Sequence, residues 1–147
     1  MATSGPGGMR EVVAIQCGLG CDQHGQDAVK AARRAVCNAI QYIALPQLEA
    51  AACVPPTPRQ EGGRQLLVHV KLGVPEPNKA GGSGSFDSVK SKLTAGDALK
   101  GCFPYGTLLP VEVTPGGLCF SSGTHAPHLG DSSDEMVAVV AAVTVGF

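Results

Sequence analysis

Three glycines, two acids and a histidine fall within ten residues, Gly18-Leu-Gly20-Cys-Asp22-Gln-His24-Gly25-Gln-Asp27. An apolar run leads into this stretch and an amphipathic one leaves it. Glycines after a strand let backbone approach a ligand closely, and free N–H groups at the next helix start attract anions. Gly18, Gly20, Gly25 and Asp27 are therefore candidate ligand-binding positions, with a small anionic ligand as the natural guest. Asp22 and His24, two apart, are the candidate catalytic residues: His24 as general acid/base, Asp22 as its orienting partner. The same pair suits two ligands of a metal ion. The plainer alternative is that Asp22 or His24 caps the helix while the glycines only make a tight turn.

The stretch matches neither common nucleotide loop. Gln23 stands where G-x-G-x-x-G needs glycine, and no Lys-Ser/Thr follows as in a phosphate-binding P-loop. NAD and ATP are not assigned, and the cofactor is left unknown.

A second polar stretch, Ser121 to Glu135, carries His125, His128 and Asp131. Together with Asp22 and His24 these have the donor types of a metal site, but a solvated loop is the simpler reading and no metal is assigned. Ser122 and Asp131 are further candidate ligand-binding residues, completing the pocket across a subunit interface. Ser121-Ser122 lacks a G-x-S-x-G context, which leaves a serine hydrolase unsupported. His69 reads as a hydrogen-bonded histidine, and Lys71 and Glu112 as a cross-strand or intersubunit ion pair.

The elements that must position these groups follow from periodicity. Glu11 to Cys17 alternates as a strand, with Val13, Ile15 and Cys17 on one face. From Gly25 to Leu45, Ala28/Val29, Ala32, Ala35/Val36, Ala39/Ile40 and Ile43 form one apolar helical stripe that Pro46 ends. A short helical turn through Ala52 is expected next. Leu66, Val68, Val70 and Leu72 alternate as a half-buried strand, and Phe86 to Leu99 forms a shorter helix. Residues 109–120 predict a hairpin around Pro115-Gly-Gly117. Met136 to Val145 predicts a central strand covered on both faces. The fold class is α+β: a two-layer sandwich, one mixed sheet of four to five strands with both helices on one face. Gln16, His69, Lys71, Glu112 and Thr144 are expected on the other face. Residues 1–10 read as a disordered lead and 11–147 as a single domain, with flexible insertions near 54–64 and 75–85.

Composition excludes several function classes. The net charge of −1 comes from 11 basic and 12 acidic residues without a block of either sign, so no nucleic-acid surface is supported. Aromatics make up 4%, too few for stacking platforms. The longest apolar run, Met136 to Val143, is too short to cross a membrane as a helix. Six cysteines without a CxxC pair or an apolar signal segment read as free thiols in the cytoplasm, with the plastid as alternative. The alanine-rich helix and the mixed sheet face favour a homo-oligomer.

The pattern Gly-x-Gly-x-Asp-x-His-Gly, seen here as Gly18-Leu-Gly20-Cys-Asp22-Gln-His24-Gly25, resembles the signature of an uncharacterised family first named from a Listeria protein and seen also in plants. The likeness continues through Gln26-Asp27-Ala-Val-Lys-Ala-Ala32, Val111-Glu-Val113, Gly116-Gly117, Ser122-Gly123, Gly130-Asp131 and the closing strand. It implies one domain and a site near the signature, and no activity, cofactor or catalytic residue. The expected function is an oligomeric enzyme acting on a small polar or anionic metabolite. A non-catalytic binding module and a structural ring-forming protein are the alternatives.

Overall fold

A computed structural model describes residues 5–41, 65–76, 85–95, 97–103 and 106–147. The expected short helix near 46–52, the Pro46 helix stop and the insertion at 54–64 lie outside the described residues, as does most of the insertion at 75–85.

The elements in chain order are β1 (Val12–Asp22), α1 (Ala28–Gln41), β2 (Leu67–Val74), α2 (Phe86–Thr94), β3 (Thr107–Leu108), β4 (Glu112–Pro115), β5 (Leu118–Ser121) and β6 (Glu135–Gly146). They make an α+β fold with one mixed six-stranded sheet. The sheet exceeds the expected four to five strands by β3, a two-residue strand too short to leave an alternating pattern. The Val- and Ala-rich β6 is central, antiparallel to β1, β2 and β5. Outside β2 lie β3 and β4, both parallel to it, so α2 is the crossover that a parallel pair requires.

Both helices cover one face. Ala28, Ala31, Ala32, Ala35, Val36 and Ala39 of α1 form a core with Val89 and Leu93 of α2 and with Val68, Val70, Leu72, Val139, Ala141 and Val143 of the sheet. Two expectations about faces change. Gln16 pairs with Val143 and so lies on the helix-covered face, whereas His69, Thr144, Lys71 and Glu112 do share the opposite one. And among the described residues helices cover β6 on one side only, with Val140 exposed on the other.

The expected hairpin is not a hairpin. β4 pairs with β2 and β5 with β6, so the chain crosses over the end of β2 between them. Gly116 makes that crossing possible: a Cβ there would sit 3.1 Å from Gly73 Cα. Residues 5–10, expected to be a disordered lead, instead form a 3-10 turn at Pro6–Gly8 and bury Met9 completely. A Cβ on Gly146 would lie 3.1 Å from the Met9 sulfur, so this segment covers the far end of the helix-free face.

Candidate functional site

The glycine-rich stretch divides into two parts with different tasks. Gly18 and Gly20 lie inside β1, paired with Ala141 and Val139 of β6, rather than in a loop. They alternate onto the helix face, where Ala35 and Ala39 press directly on them. A Cβ on Gly20 would stand 2.9 Å from Ala35 Cα, and one on Gly18 2.9 Å from Ala39 Cα, with backbone polar atoms nearer still. These glycines let a helix lie against a strand, and the close backbone approach is to the protein itself.

The chain then leaves the sheet at Asp22, whose carboxylate is almost fully buried. Its Oδ2 accepts from the Asp27 amide at 3.0 Å, and its Oδ1 pairs with Lys30 Nζ at 2.9 Å and Arg34 Nη1 at 3.0 Å. Asp27 caps α1, accepting from the Val29 and Lys30 amides at 2.9 and 3.1 Å. Asp22 therefore anchors the helix start and does not meet His24.

His24 instead meets Asp131, 107 residues away: His24 Nδ1 lies 3.0 Å from Asp131 Oδ2. The Asp131 side chain is wholly shielded from solvent, while that of His24 is 32% exposed. Oδ2 also accepts from the Ala126 amide at 2.8 Å, and Oδ1 from the Gly25 amide at 2.9 Å and Gln26 Nε2 at 3.2 Å. Each carboxylate oxygen thus takes two donors. The His24 contact first, and the Ala126 and Gly25 amides with it, hold the Asp131 carboxyl well below the ordinary carboxylate range. Since an ionised carboxylate only accepts, the neutral imidazole must carry its proton on Nδ1, which leaves the lone pair on Nε2.

Gln26 is the residue that sequence reasoning missed. It is 1% exposed and sits at φ +48°, a left-handed conformation rare outside glycine. Its Nε2 also donates to the Glu135 carbonyl at 3.1 Å, and its Oε1 accepts from the Ser132 amide and hydroxyl, both at 3.1 Å. The glutamine carboxamide has one carbonyl acceptor and one NH2 donor group, and here both clasp the 131–135 segment to the 23–27 turn. Gln26→Ala keeps the strained backbone and removes the clasp. It is expected to cost about 2–3 kcal/mol, the scale for stranding buried backbone partners, as read from urea unfolding.

The two expected clusters therefore meet, within one chain rather than across an interface. Ser122 does not reach the dyad: its hydroxyl donates to the Asp134 carbonyl and accepts from the Thr124 amide. His125 and His128 are exposed on the same loop. Among the described residues no group of three His, Cys, Asp or Glu is placed to hold a metal ion.

A family of conserved hypothetical proteins, Lin0512_fam, matches residues 12–145, from the first residue of β1 to the last but one of β6. The chain belongs to the Lin0512 family. It is also similar to a crystal structure of an FtsZ-like protein of unknown function from Nostoc punctiforme, at 31% identity and a TM-score of 0.58, over 92% of this chain and 93% of that one. No curated protein matches it.

In this Lin0512 chain the dyad carries a pH signature. A carboxylate held below its unfolded pKa stabilises the fold above about pH 4 and loses that contribution as the pH falls further. The melting midpoint is thus expected to drop below about pH 4. Asp131→Asn lacks this titration, so the gap between the two proteins narrows over the same window. Thermal melts across pH measure it.

Proposed function

We propose that this chain is an enzyme acting on a small polar or anionic metabolite, with His24 as general acid/base and Asp131 orienting it. One observation carries the reading: the imidazole is tied at Nδ1 to a buried, ionised carboxylate while the ring stays one-third exposed. That arrangement holds a single tautomer and presents Nε2 as a proton acceptor, which later returns the proton. An imidazolium formed during turnover is stabilised by the Asp131 charge beside it. Lys30 and Arg34, each about half exposed on α1, share the single carboxylate of Asp22, which leaves a net positive charge for an anionic substrate. The orienting role first expected of Asp22 passes to Asp131, because Asp22 spends its oxygens on α1. Gly25 and Asp27 likewise spend their polar groups within the fold, so substrate contacts fall to His24 and its surroundings.

A panel of phosphorylated and carboxylated metabolites, incubated with the protein and followed by proton and phosphorus NMR, tests the proposal. Conversion by the wild type that is lost in His24→Ala, with the fold intact by circular dichroism, supports it. Conversion that survives in His24→Ala overturns it. A second reading, a non-catalytic clasp, is favoured by the way three of the four donors to Asp131, from His24, Gly25 and Gln26, join one loop to the other. Under it no member of the panel is converted and His24→Ala changes stability alone.

We place the protein in the cytoplasm, supported by five cysteines that are free thiols among the described residues. No helix among those residues is long and apolar enough to cross a membrane.

A further inference from the structure

Residues paired across a sheet project to the same side, so the register defines the face that none of the described helices covers. On it stand Ile15, Cys17, Leu19 and Cys21 of β1, opposite Thr144, Ala142, Val140 and Ala138 of β6. Leu118 and Phe120 of β5 continue the row beside Ala138 and Met136. Ile15 is 62% exposed, Leu19 56% and Leu118 64%, with Phe120 and Val140 close behind. Five large apolar side chains on three adjacent strands leave on the order of 500 Å² bare, the upper end for a monomer.

We propose that this face is an interface between two copies of the chain, a reading that goes beyond the chemistry at His24 and does not depend on it. Area and charge both favour a second copy as the occupant. The patch with its rim approaches the roughly 800 Å² per partner that a stable interface buries. Its centre is uncharged, so nothing must be desolvated without a partner. The rim carries one charge of each sign: Lys71 Nζ and Glu112 Oε2, 3.4 Å apart and each half exposed. Because both copies carry the same pair, each can offer a charge of either sign to the other across a two-fold axis. A net charge of −1 adds little repulsion between copies.

Sedimentation velocity on the full chain over a range of concentrations tests this. The wild type is expected to sediment as a dimer or a higher assembly. Leu19→Glu or, separately, Val140→Lys should weaken association by at least about 30-fold, the effect of losing an interface hot spot. Leu129→Glu changes an exposed leucine on the Pro127–Leu129 turn, off this face, and should leave assembly unchanged. Circular dichroism confirms that each variant folds. In step with assembly, alkylation of Cys17 should be slow in the wild type and fast in Leu19→Glu. A wild type that is monomeric at every concentration overturns the proposal. Slow Cys17 alkylation in such a monomer would show that another part of the same chain covers the face. Assembly that survives both face variants overturns it equally.

Discussion

Gly20→Val is expected to leave little folded protein. The added Cβ alone would fall 2.9 Å from Ala35 Cα and nearer still to the Ala31 carbonyl oxygen and the Ala35 amide nitrogen. These are backbone atoms of a helix whose opposing side chains, Ala31, Ala35 and Ala39, are completely buried, so no rotamer change can make room. Either α1 lifts from β1 and opens the core, or β1 leaves its ladder with β6. Overpacking usually costs 1–3 kcal/mol; here the rigid neighbour puts Gly20→Ala at about 3 kcal/mol and Gly20→Val above it. That is a large share of a typical domain's stability. Gly101→Ala is the control: a Cβ there meets only Arg33 Nη2, at 3.5 Å, and should change stability by less than about 0.5 kcal/mol. Urea unfolding of the three variants measures the contrast.

Asp131→Asn is expected to remove most of the activity, on the order of 10²–10⁴-fold, the range attributed to a positioned acid or base. The change looks conservative and is not. Oδ1 accepts from the Gly25 amide and Gln26 Nε2, and Oδ2 from His24 Nδ1 and the Ala126 amide. Whichever oxygen becomes an amide nitrogen, its hydrogens face two donors. If the nitrogen turns to His24, the imidazole must present a lone pair at Nδ1 and carry its proton on Nε2, the wrong tautomer for a base at that atom. If it turns to Gly25 and Gln26, the 23–27 turn loosens. The rate of substrate conversion should therefore fall in Asp131→Asn nearly as far as in His24→Ala, and the double variant should lose little more, because the two residues act as a unit. Additive losses would mean that they act separately.

Local periodicity was enough for α1, β2 and the central place of β6, since an amphipathic stripe and a strict alternation are properties of neighbouring residues. It failed where a tertiary contact decides. Strand β1 continues through Gly18-Leu-Gly20-Cys-Asp22, which lacks the β-branched residues of a strand. Pairing with Val137 to Ala141 keeps it extended, and α1 packed on its glycines holds it there. Glycine in such a stretch reads as a loop because its usual reason is conformational freedom, and here the reason is the missing side chain. The turn at 115–117 carries the residues of a hairpin, but the strands it joins have different partners, and only the whole sheet shows that.

For the site, the signature offered His24, while Asp131 entered only as a ligand-binding candidate of the second polar stretch; Asp22 was set beside His24 because the two are close in sequence. Alternation turns Asp22 toward α1, where Lys30 and Arg34 take its charge. His24 is left for a carboxylate 107 residues away. Gln26 shared in the family likeness but carried no sign of its role, since a glutamine is ordinary in sequence and its left-handed backbone is visible only once the turn is built.

The central claim is that Asp131 holds His24 with its proton on Nδ1 and its lone pair on Nε2. Long-range nitrogen–proton correlation NMR on protein labelled at the histidine ring nitrogens measures this directly, with His24 assigned by comparison with His24→Ala. At a pH where the ring is neutral, the account predicts a protonated, pyrrole-type Nδ1 and an unprotonated, pyridine-type Nε2, the pattern vanishing in Asp131→Asn. A neutral His24 protonated on Nε2, or one whose nitrogen shifts do not change when Asp131 is replaced, would contradict it.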